Sequence, residues 1–353
     1  MTHTTTLERP ETAGVQINAS RLFAAWLAST GSSLVMSTYQ AGKIIMIGTK
    51  PDGTLSLFER TFQRPMGLAM GDGCFWASSL YQLWRFENFL EPGQTINGYD
   101  ANFVPVTGNT TGDIDIHDIE LDDDGAPVFV ATRFNCLATL AERGSFRSLW
   151  MPPFIDRLAA EDRCHLNGLS FHNGRPGFAT CVSGSTVVDG WRTQREEGGL
   201  VIDVQSNEII VTGLSMPHSP RIYQDKLWLL QAGTGEFGFI DAEIGEFVPL
   251  CFLPGFARGL CFIGDHAVIG LSRPRRDNSF SGLELDARLA SSNIQAQTGL
   301  AVVNLKTGDV EHKLTFSGAI TELYDVQTLS GIRRPMFHGF QSEDIRFQLR
   351  PET

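Results

Sequence analysis

The sequence predicts an all-β protein: a six-bladed β-propeller closed by a blade shared between its N- and C-termini. Three observations lead there. A short motif returns six times, roughly 40–65 residues apart, which is the interval of a propeller blade rather than of a sandwich strand. Apolar runs of strand length follow the motifs, separated by glycine, asparagine and aspartate turn signals. The runs left over at the two ends of the chain add up to one further blade.

The clearest copy of the motif is Cys164-His165-Leu166-Asn167-Gly168-Leu169-Ser170-Phe171, which opens polar, tightens at a glycine and ends as an apolar strand. Arg64-Pro65-Met66-Gly67-Leu68-Ala69-Met70 and Ala257-Arg258-Gly259-Leu260-Cys261-Phe262 are close to it. Ile116-His117-Asp118-Ile119-Glu120-Leu121, Pro217-His218-Ser219-Pro220-Arg221-Ile222-Tyr223 and Glu322-Leu323-Tyr324-Asp325-Val326-Gln327 are looser copies.

Taken in order, residues 1–20 read as a flexible arm and 21–30 as a short helix. Apolar runs at 33–38, 43–48 and 55–62 come next, with no motif before them. Five complete units follow. Their runs are 74–79, 82–86 and 102–107 after Met66; 127–132, 136–140 and 146–150 after His117; and 177–182, 199–204 and 208–213 after Asn167. The last two sets are 226–231, 237–241 and 247–252 after Ser219, and 267–272, 299–305 and 310–316 after Arg258. The sixth motif supplies one strand and then a polar tail, 331–353. Three orphan strands at one end and one at the other make the sixth blade, so 21–330 reads as a single domain. Such sharing removes the open sheet edge that would template aggregation.

The composition excludes several classes. A net charge of −12 and a pI near 5.1 speak against nucleic acid and anionic membranes as partners, because both need a basic surface. The N-terminal stretch lacks the basic and apolar regions of a signal peptide, and the apolar patch at 22–28 is too short to span a bilayer. None of the six cysteines forms a CxxC pair, and most sit in strand-like runs. Reduced, buried thiols in a cytoplasmic protein are the expectation. No glycine-rich phosphate loop, HExxH or nucleophile elbow is present, so no nucleotide cofactor is expected.

Innermost strands line a propeller's channel, so the six motifs converge on one end of it. They bring His117, Asp118, His165, Asn167, His218, Arg221, Arg258, Glu322, Tyr324 and Asp325. Three histidines at matching positions suit acid–base catalysis by His117, His165 and His218, with Tyr324 and Glu322 beside them. The same three suit a zinc, iron or manganese ion. An alternative set of Asn167, Asp118, Asp325 and Glu322 suits calcium. Arg221 and Arg258 suit a carboxylate or phosphate; their bland alternative is ion pairing with Glu322, Asp325 or Asp118. The long connections 183–198 and 273–298 should wall the mouth, the first carrying Trp191 and Arg192, the second Arg273, Arg275, Arg276 and Phe280. Shorter loops add Tyr39-Gln40-Ala41-Gly42-Lys43 and Arg133-Phe134-Asn135, with Lys43 and Asn135 as candidate substrate contacts.

Several longer strings carry a resemblance. They are Ser37-Thr38-Tyr39-Gln40-Ala41-Gly42-Lys43, Phe134-Asn135-Cys136-Leu137-Ala138, Glu161-Asp162-Arg163-Cys164-His165-Leu166-Asn167-Gly168-Leu169, Met216-Pro217-His218-Ser219-Pro220-Arg221 and Leu253-Pro254-Gly255-Phe256-Ala257-Arg258-Gly259-Leu260. Over 34–330 the chain resembles a bacterial family of conserved hypothetical, propeller-like proteins of unknown function, which implies no established activity. More distantly, Asn167-Gly168-Leu169 resembles an inner strand start of six-bladed propellers of the gluconolactonase and senescence-marker class. That resemblance implies a divalent ion, with Asn167 the one matching ligand.

Two functional expectations follow. The first is an enzyme that hydrolyses, or eliminates from, a small anionic or peptidic substrate by metal-assisted or histidine-based chemistry. The second is a non-catalytic module that binds a peptide, protein or small anion through its channel face.

Overall fold

The computed structural model describes residues 16–273 and 282–351. A strand β1 (Gln16–Ala19) and a helix α1 (Phe23–Thr30) precede β2 (Ser33–Thr38), β3 (Lys43–Thr49) and β4 (Leu55–Thr61). Then come β5 (Leu68–Gly71), β6 (Cys74–Ser78), β7 (Gln82–Asn88) and β8 (Ala101–Thr110), followed by β9 (Ile116–Leu121), β10 (Pro127–Ala131), β11 (Cys136–Thr139) and β12 (Arg147–Trp150). The fourth set is β13 (Leu166–His172), β14 (Arg175–Cys181), β15 (Gly199–Asp203) and β16 (Ile209–Leu214). The fifth is β17 (Pro217–Tyr223), β18 (Lys226–Gln231), β19 (Glu236–Asp241) and β20 (Glu246–Phe252). The last is β21 (Phe256–Ile263), β22 (His266–Ser272), helix α2 (Glu284–Ser291), β23 (Gly299–Asn304) and β24 (Val310–Ser317), before β25 (Val326–Leu329) and β26 (Pro335–Phe337).

These strands build six sheets, one per blade. Blade 1 has the order β25-β2-β3-β4, so the chain's C-terminal part supplies its inner strand, as the orphan strands require. Blades 2 to 6 begin on β5, β9, β13, β17 and β21. The fold is a six-bladed propeller.

Two segments expected outside the propeller are built onto it. The arm was expected to run through residue 20, yet β1 pairs antiparallel with β24 and makes a fifth strand on blade 6. The earlier part of the arm lies outside the described residues. Within the polar tail, β26 pairs in parallel with β8 as an outer strand of blade 2. Its Pro335 has no N–H to give, which an edge strand tolerates. The tail crosses Gly48 so closely that a Cβ there would stand 2.0 Å from the carbonyl oxygen of Arg333. Short edge segments of this kind carry no long periodic pattern, so the apolar runs did not reveal them.

Middle strands read as unbroken apolar runs because both faces are packed: every residue of β2 and of β10 is buried. Outer strands such as β12 and β24 largely alternate, with one face toward solvent. The core is six layers, one between each pair of blades. Phe75 and Phe86 of blade 2 meet Val35 and Ile44 of blade 1, for example. Between blades 6 and 1, Phe23 and Leu27 of α1 join Leu34, Ile45, Val302 and Phe316. A seventh cluster gathers the long connections: Trp191, Met216, Phe256, Leu283, Leu285 and Leu289. The helix α2 is therefore anchored over blade 5, where Arg288 also bonds Glu236 at 2.8 Å. Among the described residues, no helix is long and apolar enough to cross a membrane.

Candidate functional site

Strand register aligns the motifs. Ile116, Leu166 and Pro217 each pair with the last residue of the neighbouring second strand: Ala131, Cys181 and Gln231. A residue in the left-handed conformation precedes each of them: Asp115, His165 and Met216, with φ of 60°, 51° and 48°. His117, Asn167 and His218 are thus equivalent; aligning the motifs adds Met66, Arg258 and Tyr324, and the last two line the same small space as the first three. These six residues, one per blade, form a ring around the channel. His165 is not a member. It lies two positions earlier, in the left-handed turn, and rises above the ring.

One layer below sits a second ring, Gly67, Asp118, Gly168, Ser219, Gly259 and Asp325, which ties the blades together. Asp118 accepts from the Leu169 N–H of the next blade at 3.0 Å, and Asp325 does the same for Leu68 at 2.9 Å. Ser219 Oγ accepts from Gly259 N–H at 3.0 Å. Where no side chain is called for, glycine permits the close approach. A Cβ on Gly259 (φ 74°) would lie 2.5 Å from the Val326 nitrogen.

Above the first ring opens a cleft of about 370 Å³, lined among others by Tyr39, Arg64, Asp115, His117, Asp162, His165, Trp191, Arg258 and Tyr324. His117 Nδ1 lies 3.0 Å from the Asp115 carbonyl oxygen and 2.7 Å from Thr132 Oγ1. The Thr132 hydroxyl gives its only proton to the Leu166 carbonyl at 2.6 Å, so its oxygen must accept from His117. Nδ1 therefore carries the hydrogen and Nε2 keeps the lone pair. Burial lowers the His117 pKa to about 4; Asp115 opposes the shift and His165 adds to it.

His165 is held differently. Its Nδ1 lies 3.1 and 3.0 Å from the two carboxylate oxygens of Asp162, which also accepts from Trp191 Nε1 at 3.0 Å. Burial opposes charge on Asp162, but His165 and the hydrogen bonds outweigh it and hold the carboxyl below its usual range. Trp191 stacks on His165 at 4.1 Å between ring centroids. Tyr39 stacks on Tyr324 across the cleft at 6.0 Å, and Arg258 lies over the Tyr324 face at 5.0 Å. Arg64 and Arg133 pair with Asp113, and Arg192 with Asp189.

This geometry presents two imidazoles with different partners to one cleft. Its protein context comes from comparison. One family match spans residues 21–337, a domain of unknown function, DUF4915. The chain belongs to that family. No curated protein matches it. Among solved structures, a chain of a nidogen/laminin complex is 13% identical with a TM-score of 0.53, over 84% of this chain and 98% of that one. A Bacteroides caccae protein of unknown function is 11% identical with a TM-score of 0.50, over the same shares. Virginiamycin B lyase from Staphylococcus aureus is 16% identical, over 80% of this chain and 76% of that one, with a TM-score of 0.40. At these identities the first two support the fold of this DUF4915 member and nothing further.

Several residues expected at the site lie elsewhere. Arg221 lines neither the cleft nor the space below it. It bonds both oxygens of Asp118 at 2.8 Å and the carbonyls of Leu169 and Pro220, while Glu120 stands 3.5 Å from its Nε. The ion-pair alternative describes it, and the calcium set loses Asp118 to it. Burial raises Asp325 to about 7, against the pull of Arg221, and both its oxygens accept backbone N–H groups. Lys43 is on blade 1 and bonds Glu59 and Thr61 at 2.9 Å, away from the cleft. Asn135 is buried and accepts from Cys164 N–H at 3.0 Å, which fixes the segment before His165. Exposed Arg273 and buried Glu322 line neither the cleft nor the space below it. Arg275, Arg276 and Phe280 lie outside the described residues. Among the described residues, no three His, Cys, Asp or Glu side chains gather as ligands for a metal ion.

Sequence reasoning missed Asp115, Asp162, Thr132 and Arg64, while the short loop at 39–43 did bring Tyr39 to the cleft. Asp162 had one local signal, a carboxylate three residues before a motif histidine. Thr132 had none, because its partners come from two different blades.

Proposed function

We propose that this DUF4915 protein is an enzyme whose cleft performs acid–base chemistry on a small anionic substrate, by hydrolysis or elimination. The observation that carries the reading is the pair His117 and His165. Both are anchored through Nδ1, both line one cleft, and they differ in what stands behind them: neutral oxygens at 2.7 and 3.0 Å from His117, with the Asp115 carboxylate farther off at 3.7 Å, and a carboxylate at 3.0 Å from His165. Pairs of titratable groups in contrasting environments are how sites divide acid and base roles. His117, uncharged at neutral pH, takes the proton, either from a carbon beside a carbonyl or from a water that attacks an acyl carbon. His165, oriented by Asp162, returns a proton to the leaving group. Arg258 and Tyr324 sit where they meet the substrate's anionic group, and Trp191 walls it in.

The test is a screen of carboxylate-bearing esters, lactones and β-substituted acids. A substrate turned over by the parent should lose about 10²- to 10⁴-fold in kcat/KM in His117→Gln and in His165→Gln. Full activity in both variants would sink the reading. A metal-assisted version would need the same Nε2 atoms together with His218, which do not gather as a ligand set among the described residues. Elemental analysis beside His117→Ala, His165→Ala and His218→Ala tests it, with calcium and Asn167→Ala as the alternative arm. The cytoplasmic location stays with this proposal, supported by six unpaired cysteines.

The non-catalytic alternative has one observation in its favour. Val187 and Val188 are 66% and 54% exposed, and Val188 lines the cleft. Val187→Asp with Val188→Asp should abolish capture of a peptide or protein partner if that face is the binding surface.

A further inference from the structure

Beneath the cleft, inside the two rings, lies a second and much smaller space of about 10 Å³. His117, Asp118, Asn167, His218, Ser219, Arg258, Tyr324 and Asp325 line it, so its wall is polar on every side. His117, Arg258 and Tyr324 also line the cleft and form the partition between the two cavities. A space of this size takes one water molecule, provided two to four polar partners await it.

Two groups await one. His218 is 3% exposed, and its Nε2 has no hydrogen-bond partner among the described residues. Asn167 is 2% exposed, and its Nδ2 is likewise without one. The Asn167 amide is fixed by Thr180, whose hydroxyl donates to Oδ1 at 2.8 Å. Turning the amide over would only exchange the atom left for the chamber. Ser219 Oγ accepts from Gly259 N–H, which leaves its hydroxyl proton to donate. Leaving buried polar atoms unpaired costs more than most single hydrogen bonds contribute. Two such atoms around one polar space point to a built site rather than to an accident of packing.

We propose that this chamber binds a single water molecule, held by Asn167, Ser219 and His218 one wall behind the cleft. Asn167 and Ser219 donate to its oxygen, and it donates to His218 Nε2. Water suits a lining that carries both the Arg258 guanidinium and the carboxyl groups of Asp118 and Asp325. Burial and the Arg258 charge depress the His218 pKa well below its ordinary value, which keeps the accepting lone pair. The site stands on geometry alone and does not depend on the acid–base reading. It gives the ring position shared by Asn167 and His218 a purpose that metal ligation does not require.

The experiment is a high-resolution crystal structure of the full chain, with and without a sodium bromide soak, beside ¹⁵N NMR of the histidine rings. The expected result is one peak within about 3 Å of both Asn167 Nδ2 and His218 Nε2, with no bromide anomalous signal. His218 should be neutral, with its hydrogen on Nδ1. In His218→Phe the peak should vanish. An empty chamber, an anomalous bromide peak there, a protonated His218, or a peak that persists in the folded phenylalanine variant would each overturn the proposal.

Discussion

His117 and His165 stand edge to face, their ring centroids 4.8 Å apart and their planes at 88°. The first comes from the channel ring of blade 3, the second from the left-handed turn that opens β13. Their contact is made between blades, and the burial of His117, to which His165 adds, has a consequence for stability. The unfolded chain protonates His117 near the ordinary 6.5, the folded chain only near 4. Between those values the unfolded state binds more protons, so stability rises with pH. The contribution is full above about 6.5 and is lost as pH falls toward 4; it is on the order of 3 kcal/mol. Denaturant unfolding at pH 7.5 and 4.5 should show this loss, and His117→Phe should flatten it. An equal slope in parent and variant would contradict the assignment.

Asp118 and Arg221 form a buried two-point pair between blades 3 and 5. Asp118→Ala leaves a buried guanidinium without its main counter-charge and should cost about 3–5 kcal/mol. Replacing both members by apolar residues, Asp118→Leu with Arg221→Met, should recover much of that. Thermal denaturation of the three proteins decides it. A double variant no better than Asp118→Ala would show that the backbone bond from Asp118 to Leu169 matters more than the pair.

Closure rests on β25. A chain ending at residue 324 lacks the inner strand of blade 1 and the Asp325 clamp on Leu68, and should not unfold cooperatively by calorimetry. Ending the chain at 341 keeps β26 and removes only the last segment, where Phe347 and Leu349 are 80% and 84% exposed. That protein should fold, with a Tm within about 5 °C of the parent, as expected when roughly 1 kcal/mol of surface contact is lost.

Gly259 sits where blades 6 and 1 meet, with a left-handed φ and no room for a Cβ. Gly259→Ala should destabilise by about 2 kcal/mol or more from backbone strain and the clash with Asp325 and Val326. The same change at Gly53, which is left-handed but open to solvent, meets no atom and should cost about 1 kcal/mol, the strain alone. Chemical denaturation of both variants separates the clash from the strain.

Much of this protein was legible in the chain itself. Blade number, the shared closing blade, the helix before β2 and the end of the channel where polar side chains collect all follow from local patterns. Strand burial is written as apolar runs and turns as glycine and asparagine, and both survive without knowledge of any partner. The identity of the ring residues was nearly visible too. His117, Asn167, His218, Arg258 and Tyr324 were each picked out, but His165 was placed with the wrong set, because it stands two residues earlier in its copy than His117 and His218 do in theirs, and such an offset moves a side chain to another level.

Only the tertiary structure decided which polar groups satisfy one another. Arg221 looked like a ligand-binding arginine until Asp118, 103 residues away, was found against it. Asp325 clamps Leu68 across a separation of 257 residues, and Thr132 fixes the hydrogen of His117 only because Leu166 of the next blade takes its own. Pairing in a channel depends on how six strands, far apart in sequence, are set radially against one another. Periodicity reports which face of a strand is buried. It carries no record of which charge will stand opposite.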